Sequence, residues 1–220
     1  MPYLTLKAGS FPENEIEIKR SRFLGFVSRV ETEDEAREFL NGVRQRHREA
    51  RHVCHAFVLG PTRLHRSSDD GEPAGTAGMP ILNAILNRST PDGISGVSDV
   101  VVAIVRYFGG IKLGAGGLVQ AYSQTAAELL DSARFVIREE VENVQLALPL
   151  MESVRVETSL RNLGFNLLPT AYETDDGIIS ITIRGDDTPG LRETVAALTS
   201  GSGELEFVGK SWQDSPLPRS

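Results

Sequence analysis

The apolar positions of this chain change period several times, and each change marks an element. The run from Val100 to Val105 is unbroken and rich in β-branched side chains, which predicts a strand buried on both faces. Glycines follow at Gly109, Gly110, Gly114, Gly116 and Gly117, predicting a loop that can turn tightly or lie close to a ligand. From Leu118 the apolar residues fall at Tyr122, Ala126, Leu129 and Ala133, the spacing of a helical face. The order is strand, glycine loop, helix.

Upstream, Tyr3 to Lys7 reads as a short strand. Asn14 to Val30 alternates through Ile16, Ile18, Phe23 and Val27, one or two strands interrupted at Lys19, Arg20 and Arg22. Thr32 to Glu49 is a predicted helix with Thr32 as cap, acids in its first turn, and Arg44, Arg46 and Arg48 near its end. Strands follow at His52–Leu59 and Arg63–Ser68, then a turn at Asp69–Pro73. Pro80 is expected in the first position of a further helix. A polar loop from Ser89 to Asp99 leads into the central strand.

After a boundary near Phe135 to Glu140 the pattern reads strand, helix, hairpin, helix, strand. The elements are Val141–Pro149, Met151–Leu163, Phe165–Tyr172 with Ile178–Ile183 around Asp175-Asp176-Gly177, Thr188–Ser200 and Glu204–Ser211. This βαββαβ order is that of a ferredoxin-like unit. The fold class is therefore α+β with two domains, 1–137 and 138–212, and a tail at 213–220 expected to fray.

Composition changes the picture in two respects. Cys54 is the single cysteine, so no internal disulfide can form, in keeping with a reducing cytoplasm. Neither a secretory layout at the N-terminus nor an apolar run of spanning length is present, so the expected location is cytoplasmic and away from membranes. Net charge is −7. Residues 1–137 hold sixteen Lys/Arg and sixteen Asp/Glu, whereas residues 138–220 hold seven against fourteen. That balance argues against non-specific nucleic-acid binding while leaving room for a local basic patch in the first half.

Three clusters carry candidate chemistry. The glycine loop with Arg106 and Lys112, placed before a helix start, can hold an anion such as phosphate, or the glycines can simply allow close packing. It matches neither a Walker loop nor a dinucleotide fingerprint. Arg44, Arg46, Arg48, Arg51 and His52 open a basic window, running to residue 66, suited to RNA phosphates or to a solvated helix end. Asp69, Asp70 and Glu72 form a possible acidic site, or turn chemistry pairing with Arg106 or Lys112. His52 and Cys54 share a strand face, but no further Cys or His stands at zinc spacing, so neither metal nor cofactor is expected.

Several stretches together resemble the IMPACT/YigZ family. They are Ser21-Arg22-Phe23-Leu24-Gly25, His52-x-Cys54-x-Ala56, Ser68-Asp69-Asp70-Gly71-Glu72-Pro73 running on to Gly75-Thr76-Ala77-Gly78-x-Pro80, and Arg106-Tyr107-Phe108-Gly109-Gly110-x-Lys112-Leu113-Gly114-x-Gly116-Gly117-Leu118. One departure is Gln120, where the family pattern has Arg. The resemblance implies a first domain like the second domain of a small-subunit ribosomal protein, a superfamily that includes domain IV of elongation factor G. It implies a second domain similar to domain V of that factor. Eukaryotic relatives regulate translation initiation by contacting the activator of an initiation-factor kinase. For a bacterial-type member, what carries over is a broader link to RNA or the ribosome, with no catalytic residues to transfer.

The expectation is thus a non-catalytic, translation-associated regulator that binds RNA or the ribosome. The acidic second domain would orient the first or bind a protein partner. The alternative is a small-molecule enzyme holding a nucleotide or phosphorylated metabolite at the Gly109–Gly117 loop.

Overall fold

The computed structural model describes residues 2–89, 96–173 and 176–217. It is an α+β protein whose chain divides into two compact units, Met1–Arg138 with Asp214–Ser220, and Glu139–Gln213.

In the first unit, strands β1 (Tyr3–Leu6), β2 (Glu13–Ile18) and β3 (Ser21–Arg29) precede helix α1 (Glu33–Arg46). Strands β4 (His52–Leu59) and β5 (Leu64–Ser68), helix α2 (Gly78–Leu86), strand β6 (Val100–Tyr107) and helix α3 (Gly114–Ser132) follow. Five strands form an antiparallel sheet in the order β2-β3-β6-β4-β5. β6 lies at its centre, and its alternation explains the unbroken apolar run. Val100, Val102 and Ile104 join α2 and α3 in one core, while Val101, Ala103 and Val105 join α1 in another. Both predicted faces are buried.

Local signals account for the element ends. Thr32 Oγ1 accepts from the Glu35 N–H at 3.2 Å and caps α1. The β2–β3 connection is a two-residue turn in which Lys19 and Arg20 both have positive φ, the backbone shape that suits strand twist. Pro80 stands third in α2 rather than first. The polar loop before β6 falls partly at residues 90–95, outside the described residues.

β7 (Phe135–Pro149) begins in the first unit, where Phe135–Arg138 pairs with β1. In the second unit it is followed by α4 (Leu150–Asn162), β8 (Asn166–Leu167), β9 (Ala171–Glu173), β10 (Asp176–Ile183), α5 (Thr188–Leu198) and β11 (Leu205–Pro216). The order β11-β7-β10-β8, with β9 also on β10, is the arrangement expected of a ferredoxin-like sheet. Val144, Leu146, Leu148, Ile179 and Ile181 pack against Val156, Leu160, Leu191 and Val195 as its core. Gly164, at φ +88°, closes α4 as its position predicted. The expected Asp175-Asp176-Gly177 turn lies partly outside the described residues, and Gly177 itself is in β10.

Two expectations need correction. α3 starts at Gly114, not Leu118, so Gly114, Gly116 and Gly117 are helical and the loop is shorter than its glycines suggest. The segment expected to fray is strand as far as Pro216, and Asp214 ion-pairs with Arg29 and Arg138.

Candidate functional site

Arg106 sits on β6 in register with Val100, Val102 and Ile104, so the alternation that buries those residues also turns this arginine inward. A buried guanidinium requires partners. Glu72 supplies one, with its Oε1 accepting from Arg106 Nη1 at 2.7 Å and from the Tyr122 hydroxyl at 2.9 Å. The rings of Phe23 and Phe108 lie 5.5 and 5.6 Å from the guanidinium carbon, a favourable cation–aromatic distance. Arg106 Nε is buried and has no hydrogen-bond partner among the described residues.

A cavity of 590 Å³ opens beside this group, lined among others by Arg51, His52, Glu72, Arg106, Phe108 and Lys112, and by Gly114 and Ala115 at the head of α3. No side chain among the described residues caps the start of α3. The first amides of a helix lack intrahelical acceptors and carry the positive end of its dipole. Arg51 and Lys112 are exposed and make no ion pair among the described residues. Three cationic side chains therefore face two acidic ones, Glu49 and Glu72, beside an uncapped helix start.

His52, opposite Arg106 across the β4–β6 pair, donates from Nδ1 to the Asp70 carbonyl at 2.8 Å. The other basic-window residues are largely engaged elsewhere. Arg44 makes a two-pronged pair with Asp70 at 2.8 and 3.0 Å, and Arg46 reaches Glu13 at 3.4 Å. Arg48 is exposed and has no ion pair among the described residues, but it does not line the cavity. Of the window residues, the structure brings Arg51 and His52 to the cavity.

All three carboxylates of the acidic cluster are engaged within the fold. The Asp69 carboxylate accepts the N–H groups of Gly75, Ala77 and Gly78 at 2.8–2.9 Å and so caps the start of α2 from outside the helix. Burial works to raise its pKa, but those donors outweigh it and hold the carboxyl below its ordinary range. Asp70 likewise falls below its ordinary range, because Arg44 and the Val53 N–H together outweigh burial. Glu72 is occupied by Arg106 and Tyr122. Glu72 pairs with Arg106 rather than Lys112.

Nucleophilic chemistry at Cys54 is disfavoured. Its thiol is buried, donates to the Asp69 carbonyl at 3.0 Å, and is pushed up to about 12 by burial above all. No group of three His, Cys, Asp or Glu suited to a metal occurs among the described residues. No helix among them is long and apolar enough to cross a membrane.

The glycines separate by role. The Gly109 amide donates to Ser21 Oγ at 3.2 Å, Gly110 and Gly116 are exposed, Gly117 packs on Leu113, and only Gly114 lines the cavity. Sequence reasoning missed Phe108 and Tyr122. The β6 alternation was the signal available for the second, since an inward Arg106 demands a buried polar neighbour.

Comparison with known proteins agrees with this architecture. The Impact N-terminal domain family model matches residues 19–130. The IMPACT family member YvyE of Bacillus subtilis (strain 168) is 34% identical over 215 residues, covering 95% of this chain and 94% of the relative. The IMPACT family member YigZ of Escherichia coli (strain K12) is 44% identical over 109 residues, 48% of this chain and 50% of its own. A crystal structure of a hypothetical protein superposes with a TM-score of 0.60 at 28% identity, covering 93% of this chain and 96% of the other. With half the chain matched by the family's model and nearly all of it aligned to a relative of that name, this protein belongs to the IMPACT family.

Proposed function

We propose that this chain is a cytoplasmic, translation-associated regulator, non-catalytic, that holds phosphate groups of RNA, free or within the ribosome, at the cavity beside α3. One juxtaposition carries the reading: a buried arginine with an unpartnered Nε, an exposed lysine and the uncapped head of a helix line the same opening. Each is a donor without an acceptor, and phosphate oxygens are acceptors without donors. The acidic second unit, with five Lys/Arg against thirteen Asp/Glu in residues 139–213, is unsuited to polyanions and fits a protein partner instead.

The test is co-sedimentation with ribosomes and with bulk RNA at low salt. Lys112→Ala removes an exposed side chain with no ion pair among the described residues, so folding should be unaffected. We expect a loss of about five- to tenfold in affinity, the order of one charged phosphate contact. Unchanged sedimentation would overturn the reading.

The alternative, an enzyme acting on a nucleotide or phosphorylated metabolite, is favoured by the cavity volume, which falls in the usual range of small-molecule sites. Against it stand Asp69, Asp70 and Glu72, each already engaged. Conversion of a nucleotide to product by the purified protein, abolished by Lys112→Ala, would reverse the order.

A further inference from the structure

Phe108 is left over from the phosphate reading. It is 58% exposed at the rim of the cavity, directly after β6, where an apolar ring gains nothing from burial. One side of its ring faces the Arg106 guanidinium. A planar, polarised ring beside a guanidinium, close to a cluster of anion donors, is the combination that binds a base together with its phosphate.

We infer that the cavity takes one nucleotide as a unit. Its phosphate would sit at the Gly114 and Ala115 amides with Lys112 and Arg106 Nε, and its base would stack on Phe108. The assignment rests on the phosphate reading of the same cavity and deepens it by naming the ligand's chemical class, a nucleoside monophosphate unit. Two observations support it, and a general property of stacking fits it. The volume, 590 Å³, suits one such unit rather than a bare anion. The orphaned Nε lies in a residue that is only 8% exposed and lines the opening. Stacking tolerates any base, so no set of base-reading side chains is required.

The experiment is a titration of the full chain, followed through its backbone amide resonances, with inorganic phosphate, adenosine and adenosine 5′-monophosphate. The monophosphate is expected to move the Gly114 and Ala115 amides and to bind roughly tenfold more tightly than inorganic phosphate, the order of one stacked base. Phe108→Leu should abolish that difference. Lys112→Ala should weaken both. A short RNA bearing a 5′-phosphate that displaces the nucleotide, where its 5′-hydroxyl counterpart does not, places the source at a strand end. Failure of both to displace it places the source in free nucleotide.

Inorganic phosphate binding as tightly as the monophosphate, or Phe108→Leu without effect, overturns the nucleotide assignment and leaves an anion site. No movement of Gly114 or Ala115 with any phosphate-bearing probe overturns both readings. RNA co-sedimentation insensitive to Lys112→Ala, with nucleotide binding intact, removes the RNA reading alone.

Discussion

Gly109 and Gly116 lie seven residues apart in the same glycine-rich stretch, yet a methyl group added at each meets opposite surroundings. At Gly109 the new Cβ would stand 2.0 Å from the backbone carbon and oxygen of Arg20, in the β2–β3 turn. Backbone cannot step aside as a side chain does, so Gly109→Ala must displace that turn, at a cost of about 1–3 kcal/mol, as for overpacking elsewhere. At Gly116 nothing lies within 4 Å, and the residue is helical and exposed. Alanine is the better helix former, so Gly116→Ala should stabilise by about 0.5–1 kcal/mol, a rise of about 1–4 °C in a thermal melt. Melting both variants beside the parent checks the pair. Equal and opposite shifts of the wrong sign would show that the loop is held differently. None of this was legible in the sequence, where the two glycines look alike; only the fold says which of them touches another strand.

At the scale of elements, His47 at the C-terminal cap of α1 and His55 within β4 are each partly buried. His47, at the end of α1, faces Phe26 and the Tyr107 hydroxyl, and His55 lies within β4. Burial is the main cause that lowers both from the ordinary 6.5, with Arg46 assisting at His47 and Arg44 at His55. A base with a depressed folded pKa takes up its proton more readily when unfolded. The stability it contributes is whole above about pH 6.5 and is lost as the pH falls from there toward the folded pKa. We therefore expect denaturant midpoints to decline below about pH 6.5, and His55→Gln with His47→Gln to flatten that decline. Asp69 and Asp70 carry the opposite group type with the same sign. Their depressed carboxyl pKa values give stability present above about pH 4 and lost below it. A two-stage acid transition is the expected outcome, and a single stage near pH 4 would contradict the histidine part.

Element type and order could be read from periodicity because packing enforces it. β6 needs apolar residues on both faces, and α1 needs a cap and one stripe. The start of α3 could not be read in the same way. Gly-Ala-Gly-Gly has poor helix propensity, but first-turn amides need no intrahelical acceptor, and Leu118, Ala121, Tyr122 and Ala126 anchor the helix from below. Tertiary burial overrode local preference there. The same displacement moved the first-turn amides from near residue 117 to Gly114 and Ala115, which line the cavity. The pairing of Arg44 with Asp70, and hence the breakup of the basic window, depends on contacts 26 residues apart that no spacing rule encodes.

At the scale of the whole molecule, charge is divided as unevenly as structure. Residues 139–213 hold a net −8 of the chain's −7, so the first unit is close to neutral. Several of its exposed cations are paired, Arg44 with Asp70, Arg46 with Glu13, Arg66 with Glu33 and Arg37 with Glu33 and Asp34. The cations that line the cavity are Arg51, Lys112 and the buried Arg106. Two or three neutralised phosphates give a log–log salt slope of about −1.4 to −2.1 on single-stranded RNA, or a loss of roughly 7- to 18-fold between 50 and 200 mM salt. Fluorescence anisotropy with a short unstructured RNA measures this directly. A slope near zero would remove phosphate contact altogether. A slope beyond about −4 would require some six cations, more than line the cavity, and would draw in cations outside it such as Arg48. The shallow slope is thus a signature of the cavity acting alone, and it separates a local nucleotide-sized contact from a broad basic face.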